Sequence, residues 1–306
     1  MELLIAYILS LILNEGDFSL VKSSQRFVSV SHDALTRFLV RWLFNDFNDW
    51  SKLPKKGYIV LDDTVMNKQY SKKIEGVSYQ YASNEKKKLN GLCFVLVLWV
   101  SGNQTFVLDT LIWKKGGPTK NELVQAALRR YHLAGIQPTK VLFDAWYAAS
   151  STLNLLSSWG WTYLARCKSN RIFNKHPLNE YRFFGANGTY GKLKGVYHSV
   201  QIVKHGKRYL VTNDLMPLFS RSGAKLYKER WVIETVFKDL KDVLNLEKCS
   251  SRSLRAQENH IKSCLLAYCF LKTYYPDKSV ESAQQQFITH YDPAIFKQQV
   301  IQLLAA

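Results

Sequence analysis

Two short apolar runs in this chain each end in aspartate. The first, YIVLDDTV, spans Tyr58–Val65, and the second, KVLFD, spans Lys140–Asp144. Runs of this length that are rich in branched and aromatic residues predict buried strands, with the acids at the carboxyl ends. Asp62 and Asp63 are adjacent in the first run, so their side chains point to opposite faces of the strand. Only one of the two can therefore face a given site.

The elements around these two runs indicate an α/β fold. Further strands are predicted at Leu92–Val100, Thr105–Trp113 and Trp161–Cys167, and helices at Thr119–Leu133 and Ala148–Trp159. The order is three strands, a helix, the strand ending in Asp144, a helix and a strand, which is the order of a ribonuclease-H-like core. In this topology the first and fourth strands are neighbours at the middle of the sheet, so their acids come close together.

Some stretches and acids lie outside this plan. Asn67–Lys88 is polar and rich in lysine, which predicts a loop that is either solvated or turned towards phosphate groups. A β-rich insertion is predicted at about residues 170–215, where glycines separate alternating segments such as YHSVQIVK and RYLVTND. Asp109, inside the third strand, and Asp214, in the insertion, are expected to have structural roles.

The stretch Leu226–Lys248, LYKERWVIETVFKDLKDVLNLEK, contains no glycine or proline and carries apolar residues at helical spacing. This pattern predicts one long amphipathic helix. Four of its polar residues are three, four and seven positions apart, so a helix places them on one stripe. The stripe consists of Tyr227, Arg230, Glu234 and Lys241. A carboxylate beside two cations and a phenol suits a metal ion with a phosphodiester, whereas the alternative is a surface helix with ordinary salt bridges.

The pattern Y-x2-R-x3-E-x6-K resembles the signature of a large group of bacterial insertion-sequence transposases of the DDE superfamily. The resemblance implies that Glu234 is the third catalytic carboxylate and that two upstream aspartates, matched here by Asp62 and Asp144, complete the set. In that family the first acid directly follows the apolar run, with Ser or Thr two positions later. This register favours Asp62, followed by Thr64, and leaves Asp63 as the alternative.

The resemblance also implies a cofactor and partners. The three carboxylates are expected to hold two Mg²⁺ ions, with Mn²⁺ as a substitute. Tyr227, Arg230 and Lys241 are expected to contact DNA near the scissile phosphate. The partners are then double-stranded DNA, as transposon ends and as target, and further copies of this chain, because pairing two ends requires a homodimer or a higher assembly.

The charge balance agrees with a polyanionic partner. Lys and Arg outnumber Asp and Glu by 42 to 24, which gives a formal net charge of +18. The five cysteines are odd in number and form no C-x2-C pair, which predicts reduced thiols in a cytosolic protein. No membrane span is expected, because the apolar N-terminus is short and is followed by acids. The expected location is the bacterial cytoplasm, in association with the nucleoid.

Three regions are predicted along the chain. Residues 1–56 form a helical region, in which helices at Leu20–Val28 and Ser31–Phe44 make either a DNA-binding helix-turn-helix or a small packing bundle. Residues 57–275 form the catalytic core with its insertion, and residues 276–306 form a helical tail.

The expected function is that of a DNA transposase. It binds terminal inverted repeats, cleaves at the element ends and joins the 3′-hydroxyl to target DNA by two-metal phosphoryl transfer. One alternative is a catalytically inactive DNA-binding derivative of such an enzyme. The other is a ribonuclease-H-like nuclease, which needs the metals but not the Tyr-Arg-Glu-Lys stripe.

Overall fold

The structure is a computed structural model that describes residues 1–14, 18–26, 28–42, 50–71, 73–82, 85–181, 188–214, 216 and 218–305. Its contacts divide the chain into two compact units, each built from separated segments. Unit 1 contains Met1–Asp46, Thr64–Cys93 and Thr235–Ala306, and unit 2 contains Phe47–Asp63 and Phe94–Glu234. The region boundaries predicted at residues 56 and 275 stay predictions.

The helices, in chain order, are α1 (Glu2–Leu13), α2 (Leu20–Arg26), α3 (His32–Arg41), α4 (Lys120–Leu133), α5 (Ser150–Ser158), α6 (Ser220–Tyr227), α7 (Trp231–Asp242), α8 (Leu254–Tyr274), α9 (Val280–Thr289) and α10 (Pro293–Ala305). Two 3₁₀ turns lie at Trp50–Lys52 and Lys228–Arg230. The strands are β1 (Tyr58–Asn67), β2 (Ser78–Ala82), β3 (Lys87–Ser101), β4 (Gln104–Trp113), β5 (Lys140–Phe143), β6 (Tyr163–Cys167), β7 (Ile172–Phe173), β8 (His176–Pro177), β9 (Thr189–Gly191), β10 (Val200–His205) and β11 (Arg208–Thr212).

Unit 2 is built around a mixed sheet in the order β3-β1-β5-β6-β11-β10-β9, with β4 paired to β3. The predicted α/β class and the predicted neighbours are confirmed: β1 and β5 pair in parallel, with Tyr58 opposite Lys140. Within the insertion, β7 and β8 pair with each other in a separate two-stranded sheet, whereas β9, β10 and β11 join the central sheet. β11 pairs antiparallel with β6, and β10 and β9 follow, so the insertion extends the central sheet.

The pleat of β1 explains where its acids go. Ile59 and Leu61 are fully buried and belong to the core cluster of unit 2, together with Val141 and Phe143 of β5. Successive side chains alternate between the two faces of a strand, so Asp63 continues the face of Ile59 and Leu61, and Asp62 lies on the other.

Helix α4 begins as the sequence predicts. The Thr119 side chain accepts a hydrogen bond from the Glu122 N–H, and the Glu122 carboxylate accepts one from the Thr119 N–H, which completes a capping box. This cap fixes the first turn of α4, and Lys120 is the first residue of that turn.

Unit 1 packs its helices around α8, a 21-residue helix that is buried along most of its length. The Tyr7 hydroxyl of α1 hydrogen-bonds to His260 Nδ1 at 2.7 Å, and Asn259 donates to the Leu39 carbonyl at 2.7 Å. Helices α2 and α3 end at Arg26 and Arg41 rather than at the predicted Val28 and Phe44, and Phe44 lies outside the described residues. The helix-turn-helix interpretation stays a prediction.

The predicted loop at residues 67–88 is wrong in part. Strand β2 forms inside it and pairs antiparallel with the first half of β3, with Tyr81 opposite Lys88. A search for apolar runs does not find this strand, because Ala82 is the only buried residue among the five residues of β2. The tyrosines that mark the strand point outwards among polar residues.

The prediction of one helix at Leu226–Lys248 is also wrong. The chain forms α6, a 3₁₀ turn and then α7, and α7 ends at Asp242. Beyond that end Asn245 has a φ of 59°, and the Leu246 N–H donates to the Leu240 carbonyl at 2.9 Å. A left-handed residue after the last turn, with this long backward hydrogen bond, is a recurrent way to terminate a helix.

All five cysteines are free thiols, and four of them are buried. Within the described ranges, no helix is both long enough and apolar enough to cross a bilayer.

The entry into β1 gives a test of the core packing. A Cβ atom at Gly57 would lie 2.3 Å from the ring of Trp99, which is 2% exposed and has no room to move. We expect Gly57→Ala to lower the free energy of unfolding by about 1–3 kcal/mol in urea denaturation. Gly117→Ala is the matched control, since its Cβ would meet the Lys114 carbonyl at an ordinary 3.5 Å. Equal stability of the two variants would contradict this packing.

Candidate active site

The two adjacent aspartates of β1 have different partners. The Asp63 carboxylate accepts a hydrogen bond from the Tyr147 hydroxyl at 2.6 Å and forms an ion pair with Lys120 Nζ at 2.5 Å. Asp62 turns to the other face of the sheet and forms an ion pair with Arg230 at 2.5 Å. Asp63 is therefore held by α4 and the loop after β5, whereas Asp62 is held by Arg230.

Arg230 connects two carboxylates. Its Nη1 contacts Asp62, and its Nη2 contacts Glu234, four residues further along the chain. The Arg230 side chain is 11% exposed and the Asp62 side chain 18%. Burial opposes the charge of the guanidinium, but the Asp62, Tyr227 and Glu234 groups raise the pKa of Arg230 above its ordinary value. Arg230 is therefore a fixed positive charge between the two acids.

Asp144 directly follows β5. Asp62 and Asp63 lie within β1, which continues to Asn67, so the prediction that these two acids end their strand is wrong. The Oδ1 atom of Asp144 accepts a hydrogen bond from the Trp146 N–H at 2.7 Å, which sets the turn after β5. Burial raises the pKa of Asp144, while this hydrogen bond and the Arg230 charge oppose the rise.

Burial also dominates the titration of Asp62. It raises the pKa of Asp62 from 3.8 to about 7, and the Asp144 and Asp63 charges add to the rise. Arg230 offsets part of this effect, because an opposite charge favours the ionised form. An added positive charge at this place would favour the ionised form of both carboxylates.

Tyr227 completes this part of the site. Its hydroxyl donates to the Phe143 carbonyl at 3.2 Å, directly before Asp144 in the chain. Burial raises the pKa of Tyr227 to about 12, so the phenol keeps its proton at neutral pH. The Arg230 guanidinium lies 5.6 Å from the centre of the Tyr227 ring.

Lys241 is held separately, in unit 1. Its Nζ donates to the Val65 carbonyl at 2.9 Å and lies 3.2 Å from the Glu247 carboxylate. Glu247 also accepts the Asn67 N–H at 2.9 Å. No role was predicted for Glu247, which lies six residues after Lys241 and beyond the end of α7.

A group of cationic and aromatic side chains in unit 2 was not predicted. Lys120 Nζ lies 5.7 Å from the ring centre of Trp113 and 5.9 Å from that of Trp146, and Lys168 Nζ lies 5.2 Å from Trp146. The Trp146 side chain is more than half exposed. Its position two residues after Asp144 was the one available signal, whereas Lys120 and Lys168 come from distant elements.

The acids expected to be structural form ion pairs elsewhere. Asp109 pairs with Arg130 of α4, and Asp214 pairs with Lys140 at the start of β5. The Lys140 hydrogen bond helps to lower the pKa of Asp214, although burial opposes that change.

The carboxylates suit a divalent cation by their chemistry. In the part of the chain that the structure describes, no group of three or more His, Cys, Asp or Glu side chains is arranged around a common ion position. Asp62 and Glu234 instead both accept hydrogen bonds from the Arg230 guanidinium. Hard carboxylate oxygens are the ligands that Mg²⁺ prefers, and the raised pKa values of Asp62 and Asp144 fit a site that gains from added positive charge.

A family model described as a transposase DDE domain matches residues 53–270 of this chain. No curated protein sequence matches it significantly. Among solved structures, the cryo-EM structure of a piggyBac transposase synaptic complex with hairpin DNA is similar, with a TM-score of 0.52 and 12% identity over 99% of this chain and 76% of that one. A Drosophila P element transposase strand transfer complex gives a TM-score of 0.30 and 12% identity over 97% of this chain and 63% of that one.

The pKa of Asp62 predicts a pH-dependent stability. The folded-state pKa of about 7 exceeds the ordinary 3.8, so the folded protein holds this proton more tightly than the unfolded chain does. Wild type therefore loses stability as the pH rises from about 4 to 7, by an amount on the order of a few kcal/mol, and Asp62→Asn escapes this loss. The unfolding free energy of the variant minus that of wild type should increase over this range and level off above pH 7.

Urea denaturation at a series of pH values measures this difference. Asp277→Asn, at an exposed carboxylate in the loop before α9, is the control and should follow wild type at every pH. A difference between Asp62→Asn and wild type that stays constant from pH 4 to 8 would show that Asp62 ionises normally.

Proposed function

The chain belongs to the transposase DDE domain family, and on this premise we propose that it is the DNA transposase of an insertion sequence. It binds the terminal inverted repeats, cleaves at the element ends and joins the 3′-hydroxyl to target DNA. The observation that carries the proposal is the placement of Asp62 just beyond the part of β1 that pairs in parallel with β5, of Asp144 directly after β5, and of Glu234 joined to Asp62 through Arg230.

The proposed topology of the core is ribonuclease-H-like. The parallel pair β1 and β5 at the centre of the sheet supports it, as does the element order of strands, helix, strand, helix and strand. The similarity of fold to the piggyBac transposase structure supports it as well.

Asp62, Asp144 and Glu234 are the residues proposed to hold two Mg²⁺ ions, or Mn²⁺ in their place. When bound, such ions activate the attacking oxygen and stabilise the leaving oxygen of a phosphodiester displacement. The protein contributes the positions of the carboxylates, since Asp62 lies within β1, Asp144 directly follows β5 and Glu234 lies on α7. Asp63 is the alternative to Asp62, and its partners Tyr147 and Lys120 favour a structural role for it.

The remaining signature residues are proposed to bind DNA near the scissile phosphate. Arg230 offers a planar set of N–H donors that matches phosphate oxygens. Tyr227 stays protonated at neutral pH, so its hydroxyl remains a donor. Lys241 is proposed to act as a point charge on phosphate.

The proposed partners are double-stranded DNA, as element ends and as target, and a second or further copy of this chain. The net charge of +18 supports the DNA partner. The piggyBac structure is a synaptic complex with hairpin DNA, which agrees with the same class of partner. The proposed location is the bacterial cytoplasm at the nucleoid.

A cleavage assay tests the carboxylate assignment. The substrate is a labelled duplex that carries the repeats flanking the gene, with Mg²⁺ or Mn²⁺. We expect Asp62→Asn, Asp144→Asn and Glu234→Gln each to reduce cleavage by about 100-fold or more while binding persists, since removing a ligand costs at least as much as removing its supporting group. Asp109→Asn, in the same unit but paired with Arg130, is the control and should cleave like wild type.

The other outcomes identify the alternatives. Loss of cleavage in Asp63→Asn together with full cleavage in Asp62→Asn would transfer the metal role to Asp63. Repeat binding without cleavage by wild type, with either ion, would identify an inactive DNA-binding derivative. Cleavage that ignores the repeats would indicate a nuclease.

A further inference from the structure

Strands β2 and β3 form a two-stranded ribbon in unit 1, with one face buried and one exposed. Tyr79 lies opposite Asn90, and Tyr81 lies opposite Lys88, so these four side chains share one face. The other face includes Leu89, which is 3% exposed. The Gln80 side chain donates to the Gly91 carbonyl at 2.9 Å and ties the two strands together. The exposed face is therefore held on a fixed backbone.

The two tyrosines of this face are unusually accessible. Tyr79 is 68% exposed and Tyr81 is 56% exposed. Neither hydroxyl, nor the ammonium group of Lys88, has a side-chain or backbone partner among the described residues. Aromatic rings with hydroxyl groups left in solvent on an ordered strand are typical of a surface that meets a partner.

The charge of the ribbon selects the class of partner. Residues 78–91 contain three lysines and one glutamate, and Glu85 is already paired with Lys87 at 3.0 Å. Lysines alone would suit a solvated edge, because charge on an edge strand prevents pairing with other strands. Exposed tyrosines do not serve that purpose, since aromatic residues favour strand association. Tyrosine hydroxyls combined with positive charge suit a nucleic acid backbone.

The dimensions of the ribbon select duplex DNA. Its two strands lie about 4.8 Å apart, and the major groove of B-DNA is about 12 Å wide, so a two-stranded ribbon fits inside it. Directly after β1 ends, the Lys68 N–H donates a hydrogen bond to the Asn90 carbonyl of β3. The pair formed by Tyr81 and Lys88 lies nearer to the connection between β2 and β3 than Asn90 does. The turn end of the ribbon is thus the part available to a groove.

We propose that the exposed face of the β2–β3 ribbon, formed by Tyr79, Tyr81, Lys88 and Asn90, is a second DNA-binding surface that enters the major groove of duplex DNA. Lys88 and the tyrosine hydroxyls bind phosphate oxygens at the groove edge. The inference rests on the proposed function only in taking DNA as the substrate. This surface binds the duplex without involving the carboxylates.

Fluorescence anisotropy with a labelled 30-base-pair duplex of arbitrary sequence tests the surface across a series of salt concentrations. We expect the double variant Tyr79→Ser, Tyr81→Ser to bind about five- to tenfold more weakly than wild type. We expect Lys88→Gln to reduce the slope of log affinity against log salt by about one, because one phosphate contact is lost. Tyr197→Ser removes a tyrosine that is 91% exposed in unit 2 and is the matched control.

The outcomes separate this surface from the proposed function. Wild-type affinity and salt slope in all ribbon variants would overturn the ribbon proposal while leaving the transposase proposal intact. Failure of wild type to bind any duplex would overturn both. A loss seen only with the single-stranded form of the probe would replace groove entry by base stacking. Lys88→Gln keeps the test valid if the double tyrosine variant fails to fold, because Lys88 supports no described contact.

Discussion

The burial of two carboxyl groups, one within β1 and one directly after β5, is the constraint on which the rest of unit 2 depends. Asp62 and Asp144 are each only partly exposed, and burial raises the pKa of each. Apolar residues at these two positions would favour stability, because unpaired buried charge is unfavourable. The protein instead supplies Arg230 as a partial counter-charge, which keeps the acids in place and leaves the group short of positive charge.

Adjacent carboxylates can have different roles when the pleat of a strand turns them to opposite faces. Asp63 links β1 to α4 through Lys120 and to the loop after β5 through Tyr147. Those two elements flank Asp144, so Asp63 also helps to fix the turn that carries the second acid. In this arrangement a mutation at Asp63 disturbs the position of the site, whereas a mutation at Asp62 changes its charge.

The features that could be predicted were those whose signal is local. Each apolar run and its acid lie within a few residues, so the strands β1 and β5 and the position of Asp144 followed from the sequence, whereas β1 continues past Asp62 to Asn67. The partners of Asp63 are 57 and 84 residues away in the chain, so no local pattern reveals them. Strand β2 was missed because its tyrosines face solvent. The end of α7 depends on Asn245, and its left-handed conformation cannot be predicted from the spacing of apolar residues.

The continuity of the insertion with the central sheet limits how this part of the protein can vary. Because β11 is hydrogen-bonded along β6, with Tyr209 opposite Cys167, the inserted strands inherit the twist and the register of the strands that carry the acids. An exchange of this insertion for that of a relative must preserve the pairing at β6, since a shift of one residue would turn every side chain of β11 to the wrong face. Among the described strands, β9 is at the edge of the sheet, so added strands can extend the sheet there without changing the pairing at β6.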